Sequence, residues 1–308
     1  HTISRRQRQM CIRDRPDVSS TNVRFSTRIS NRLRGVSRLS PTATAGVVII
    51  LLFGILAIFS GLFMTHDPVS AYPDRILQSP SAEHWFGTDS NGMDVFSRVI
   101  YGAKFGFGIA IPAVTISVLI GVPVGLIAGY RGGILDEVLM RIFDGLRVFP
   151  SIILALAVVA ATGQSLINVV LVLGFLDSPV FARLVRAEVL TLRSSIFVES
   201  AVAAGNPTWR ILFLHLLPNS IQGAMAQTAV RAAWAVRISA TLAFLGVGIQ
   251  APTPEWGAMI RQGAEFMVTG QWWVAIFPGI ALIFLVFGLN LFGDGIQDIL
   301  DPRRRVSK

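Results

Sequence analysis

Long stretches without one charged side chain set the first limit on this chain. Ala43–Thr65, Phe105–Gly129, Val148–Leu176 and Val274–Phe292 all lack Asp, Glu, Lys and Arg, and each is near or beyond the ~20 residues that an α-helix needs to cross a bilayer. A composition of 52% hydrophobic and 15% charged residues over 308 positions is not that of a soluble enzyme. The expectation is an all-α polytopic membrane protein. Val148–Leu176 is too long for one span, and Thr162-Gly163-Gln164-Ser165 offers a turn. It splits into a third helix from about Leu139 to Ala161 and a fourth from Leu166 to about Arg186. Adding Ser220 to about Gly248 as the fifth span gives six transmembrane helices.

Charge supplies the orientation. The net charge of +9 is almost all arginine, since Lys104 and Lys308 are the only lysines. Arginine sits at the ends of the apolar runs and in the first forty residues, which suits anionic lipid headgroups and the positive-inside rule and gives no sign of a nucleic-acid partner. Both termini are expected on the cytoplasmic side. Residues 1–42 read as a basic tail, of which about 1–15 are expected not to be native, because Gln9–Arg15 looks like translated sequencing adapter. Residues 43–65 follow as an uncleaved membrane anchor, 66–98 as an external loop, 99–298 as the core, and 299–308 as a second cytoplasmic tail. Arg131, Asp136, Glu137, Arg141 and Arg147 are expected to form a charged cytoplasmic turn. The single cysteine, Cys11, excludes an internal disulfide. His1, His66, His84 and His215 are scattered along the chain, so no metal site is expected.

Two patterns within the core carry more information. Gly121, Gly125 and Gly129 recur every fourth residue, forming one stripe along which a neighbouring helix can approach closely. A phosphate cradle is the sharper alternative, but no Gly-Lys-Ser/Thr follows. The second pattern is a polar island, residues 187–219, between the fourth and fifth spans. Ser194 and Ser195 can cap a short helix starting near Ile196. Gly205 suits the residue just past its end, and Asn206-Pro207 suits the cap and first residue of another helix. The small side chains of Ser200, Ala201, Ala203 and Ala204 leave the short helix thin enough to enter a groove on another protein. An ordinary loop with a helical hairpin is the plainer alternative.

Glu199-Ser200-Ala201-Val202-Ala203-Ala204-Gly205, nine intervening residues, then His215-Leu216-Leu217-Pro218 resembles the cytoplasmic coupling loop of ABC-importer permeases. Ser200 stands where the commonest form has Ala. Phe86-Gly87-Thr88-Asp89, Gly92-Met93-Asp94 and Ser97-Arg98 resemble the segment before the permease core of the dipeptide/oligopeptide/nickel branch, with Met93 departing from an expected Arg. The Pro252-Thr253-Pro254-Glu255-Trp256-Gly257 loop and the Asn290–Gly295 ending resemble the same branch. The resemblance covers residues 40–305. It implies a type I ABC importer permease fold with a coupling helix, in a bacterial or archaeal plasma membrane. The implied partners are a second, related permease in a heterodimer, two cytoplasmic ATPase subunits and an external binding protein. ATP would be used by those ATPases and no cofactor held by this chain, which has no phosphate loop. On the same basis Glu199, Ser200, Ala201, Ala204, Gly205, His215, Leu217 and Pro218 are the candidate ATPase-coupling residues.

Asp177, Arg231 and Arg237 fall inside spans, where a charge costs at least ~2.5–3.5 kcal/mol on insertion scales. Either they form a structural Asp–Arg pair or snorkel, or an arginine lines the translocation path and favours an anionic substrate. A secondary transporter or channel is the competing class, but no internal repeat is apparent. An intramembrane enzyme would need a nucleophile–base or metal-ligand constellation, and the spans carry neither.

Overall fold

Prolines, glycines and capping carboxylates place the breaks between helices. The computed structural model describes residues 41–249 and 251–300; the expectations for residues 1–40 and for the tail from 301 lie outside these. Helix α1 (Pro41–Ile58) is followed by a single turn, Ser60–Phe63. After the loop comes α2 (Val95–Arg131), which starts well before Phe105 because the Asp94 carboxylate accepts the Ser97 N–H at 2.8 Å and closes its first turn. Gly132, at φ 63°, ends it.

The third span needs correction. Of the residues expected as a charged turn, Arg131 ends α2 and Asp136, Glu137, Arg141 and Arg147 are helical, in α3 (Gly133–Val148); α4 (Ser151–Thr162) follows after a bend of 88°. Phe149 is extended (φ −82°, ψ 139°) because the next residue is Pro150, whose ring disfavours a helical conformation in its neighbour. Helix α5 (Leu166–Leu192) is capped by Ser165 and runs past Arg186. Then come α6 (Ile196–Ala203), α7 (Leu217–Phe244), α8 (Trp256–Ala264), capped by Glu255, and α9 (Trp273–Leu300). No strand occurs among the described residues beyond an isolated bridge between Thr88 and Asp94.

By length and apolarity α1, α2, α5 and α9 are able to cross a membrane, and the bent pair α3–α4 makes a fifth if taken as one span. Helix α7, the expected fifth span, is long enough at 28 residues but is interrupted by Gln222, Gln227, Arg231 and Arg237. Its buried face is built from small residues, with Ala224, Ala229, Ala233, Ala235 and Ala240 among them.

Three apolar clusters hold the helices together. One joins α1, α2, α7, α8 and α9 around Phe53, Trp256, Trp273 and Leu285. A second gathers α2, α4, α5 and α7 around Ile109, Val159, Leu173 and Leu242. The third links α2 and α5 to the segment after α5. The glycine stripe lies on the α2–α5 contact: a Cβ at Gly121 would lie 2.8 Å from Phe181 Cβ, and one at Gly129 2.9 Å from Val189 Cβ. Gly125 packs directly on the backbone of Ala182. Ion pairs reinforce the end of this contact, with Arg186 donating to both oxygens of Asp136 at 2.5 and 2.7 Å and Arg183 pairing with Asp144.

Candidate functional site

The segment between α5 and α7 is an arm with one buried side and one exposed side. Ser195 is extended (φ −83°, ψ 149°) and starts α6, but its hydroxyl donates back to the Leu192 carbonyl and does not cap. At the other end the Gly205 N–H reaches the Val202 carbonyl at 2.9 Å and the Asn206 N–H the Ala201 carbonyl at 3.2 Å. This is the paired bonding of a Schellman motif, with Gly205 at φ 74° as its left-handed residue. The sequence predicts Asn206 as the cap of the next helix. Instead its side chain donates to the Ala201 carbonyl at 3.0 Å and seals the end of α6, while Pro207 takes the capping position before Thr208.

From Thr208 the chain stays helical into α7, through a π-helical turn at Ile211–Leu216. Pro218 has no N–H for the Leu214 carbonyl, and the π turn ends where that bond would fall. The Asn219 side chain donates to the His215 carbonyl at 2.7 Å. Short π segments often mark functional places in helices.

The candidate coupling residues divide between the two sides. Glu199, Ser200, Ala204 and Gly205 are exposed, as is Pro218, while His215 and Leu217 are half-buried. Ala201 faces inward with Val198, packed among Ile211, Leu212, Leu216 and the α2 and α5 residues Leu126, Val185 and Val189. It therefore roots the arm and takes no part in the outer surface. That surface is not thin either, because Ile196 (82% exposed), Val202 (52%) and Trp209 (60%) stand out beside the small residues. An open depression of about 580 Å³ between Tyr130, Arg193, Glu199 and Val202 flanks α6. The arm thus offers apolar side chains and one carboxylate to a partner, on a base continuous with the helix core.

Asp177 and Arg231 meet, with Arg231 Nη1 donating to Asp177 Oδ1 at 3.2 Å between α5 and α7. Asp177 is 4% exposed, so the pairing supplies the partner that a buried carboxylate requires. Arg237 does not join them. It is exposed on α7 and makes no ion pair among the described residues. At the end remote from the arm, burial pushes the Glu255 carboxyl up to about 7 against the backbone N–H groups of Ala258 and Gly257, which favour its ionised form.

Residues 121–306 match the family model described as "Binding-protein-dependent transport system inner membrane component". The chain is 42% identical to the dipeptide transport system permease protein DppC of Alkalihalophilus pseudofirmus, over 85% of this chain and 86% of that protein. It is 39% identical to the probable D,D-dipeptide transport system permease protein DdpC of Escherichia coli, over 86% and 88%. Against the glutathione transport system permease protein GsiD of Pectobacterium atrosepticum the identity is 41%, over 84% and 86%. In fold it is similar to a chain of the MetNI methionine ABC transporter in an inward facing conformation, with a TM-score of 0.52 at 20% identity, covering 66% of this chain and 96% of the other.

Proposed function

This chain belongs to the family of binding-protein-dependent transport system inner membrane components and is a permease subunit of such a system; from that premise we propose that it imports small peptides or peptide-like solutes through coupling at α6. Relatives named for dipeptide, D,D-dipeptide and glutathione transport support that substrate class. It works with cytoplasmic ATPase subunits and an external binding protein. A second, related permease forms the other half of the pathway, and ATP is spent by the two ATPases alone. The six-span topology has α1, α2, the bent pair α3–α4, α5, α7 and α9 crossing the membrane, with both termini cytoplasmic.

One observation carries the coupling proposal. Helix α6 is exposed on its outer side, yet Val198 and Ala201 tie it into the cluster that joins α2, α5 and the π turn. Closure of the ATPases on the outer side would displace α6, and the rooted inner side would pass the movement to α5 and α7. A ligand or partner shifts a conformational equilibrium only through different contacts in its two states. Glu199, Ser200, Ala204 and Gly205 form the part of the arm that makes those contacts. The path residues follow from the same pairing: Asp177–Arg231 is structural, and Arg237 is the side chain that faces an anionic substrate group.

The test is uptake by the reconstituted complex carrying Glu199→Lys or Gly205→Pro. Pro at position 205 requires φ near −65° where the chain has +74°, so it breaks the Schellman closure. Both variants are expected to insert normally but to lose ATP-dependent uptake. Uptake at the parental rate in both would reject the coupling role.

A further inference from the structure

Two of the four histidines, distant along the chain, meet in space at the loop between α1 and α2. His66 follows the single turn after α1, His84 lies within the loop, and Asp94 caps α2. The imidazole centroids of His66 and His84 are 4.6 Å apart. Both rings turn Nδ1 toward the same atom, Asp94 Oδ1, at 2.9 Å from His84 and 3.9 Å from His66. One donor atom from each of the three residues lies within 4.8 Å of the others. Ligand–metal distances of ~2.0–2.2 Å for imidazole nitrogen and carboxylate oxygen put neighbouring donors about 3.3–3.6 Å apart in a tetrahedral shell, and the 2.9 and 3.9 Å separations from Asp94 Oδ1 lie on either side of that spacing.

The surroundings fix the donors. His84 and Asp94 are both 1% exposed, and the second Asp94 oxygen is held by the Ser97 N–H. His84 Nε2 is buried without a hydrogen-bond partner, and Nδ1, which faces Asp94, is the nitrogen this ring offers to the cluster. The Thr65 hydroxyl stands 3.0 Å from His66 Nδ1 and adds an oxygen at the rim. His66 borders an open depression with Met64, Thr65 and Asp67, which gives a hydrated ion its approach and leaves room for water in the remaining coordination positions.

We propose that His66, His84 and Asp94 bind a first-row transition-metal dication of the Zn²⁺ class. Two imidazoles and one carboxylate suit such an ion, whereas Mg²⁺ and Ca²⁺ favour oxygen ligands. Binding would tie the segment after α1 to the first turn of α2. This site stands apart from the coupling arm, and nothing in the transport proposal requires it.

The test uses the purified full-length chain in detergent, stripped with chelator and titrated with Zn²⁺ by calorimetry in excess Mg²⁺. Parent protein is expected to bind one more equivalent of Zn²⁺ than His66→Ala, which alters a partly exposed side chain and spares the buried pair. His84→Gln should lose the same equivalent, and His215→Ala should retain it. Co²⁺ should give visible ligand-field bands in the parent that His66→Ala lacks. Equal stoichiometry and affinity for Zn²⁺ in the parent and His66→Ala would overturn the site, even if His84→Gln fails to fold. Absence of Zn²⁺ binding by the parent would show that the three side chains only hold one another.

Discussion

Replacing Gly121 by alanine tests whether the close approach of α2 and α5 is a working part of the structure. The added Cβ would stand 2.8 Å from Phe181 Cβ and 3.0 Å from the Ala182 nitrogen, and would overlap the Ser178 carbonyl. Ordinary carbon contacts begin near 3.4 Å, so the helices must part by about 0.6 Å or more. Forcing extra atoms into a packed contact costs typically ~1–3 kcal/mol, while alanine gains up to about 1 kcal/mol over glycine in helix propensity. Gly108→Ala, in the same helix, has no heavy atom within 4 Å of the new Cβ and carries only the propensity gain. The difference between the two variants therefore isolates the clash, at ~1–3 kcal/mol. Thermal unfolding in detergent, followed by circular dichroism, measures it; roughly 2–4 °C accompanies each kcal/mol in a chain of a few hundred residues. If Gly121→Ala and Gly108→Ala unfold at the same temperature, the stripe does not set the helix spacing.

Three more outcomes follow from individual side chains. Asp177→Ala leaves Arg231 unpaired; since Arg231 is about a quarter exposed, the expected loss is about 1–3 kcal/mol, below the 3–5 of a fully buried pair, and adding Arg231→Met should restore most of it in the same unfolding assay. Arg237→Gln should raise the KM for peptides with a free carboxylate by about tenfold or more, from the low end of the range for a hydrogen bond to a charged group upward, and should leave C-terminally amidated peptides unaffected. For Glu255, the folded state holds a proton that the unfolded state releases near 4.5, so this group's contribution is full below that pH and declines as pH rises to about 7. Glu255→Gln should remove this decline, worth up to about 3 kcal/mol, in melting curves taken at pH 5 and pH 8.

What the sequence disclosed, and what it hid, divides along physical lines. Gly205 was legible because a left-handed closing residue strongly favours glycine, and the cap motif is local. The charge-free runs marked α1, α2, α5 and α9 because a bilayer demands a fixed length of apolar chain. The bend at Phe149-Pro150 is marked by a single proline within a charge-free run, and the apolarity of that run does not show it. Likewise the charges of α3 suggest a turn, although Ile134, Val138 and Ile142 recur every fourth residue and mark a helical face. Ala201 reads as part of a smooth docking face in the sequence, since a short helix of small residues does not reveal which side is covered. His66, His84 and Asp94 could not be grouped in advance, because only the path of the loop brings them together. Arg186 and Asp136 meet only through the packing of α3 against α5.

The π turn at Ile211–Leu216 has a consequence for how such arms diversify. A wide turn of this kind amounts to one surplus residue in an α-helix, and each residue of an α-helix turns its direction by ~100°. The surplus residue therefore sets the angular phase between α6 and the side of α7 that carries Arg237. Deleting it would leave a regular helix and an unbroken chain, yet rotate the arm relative to that side. Orientation of the lever is thus stored in chain length, where an insertion or deletion can alter it and side-chain substitution cannot.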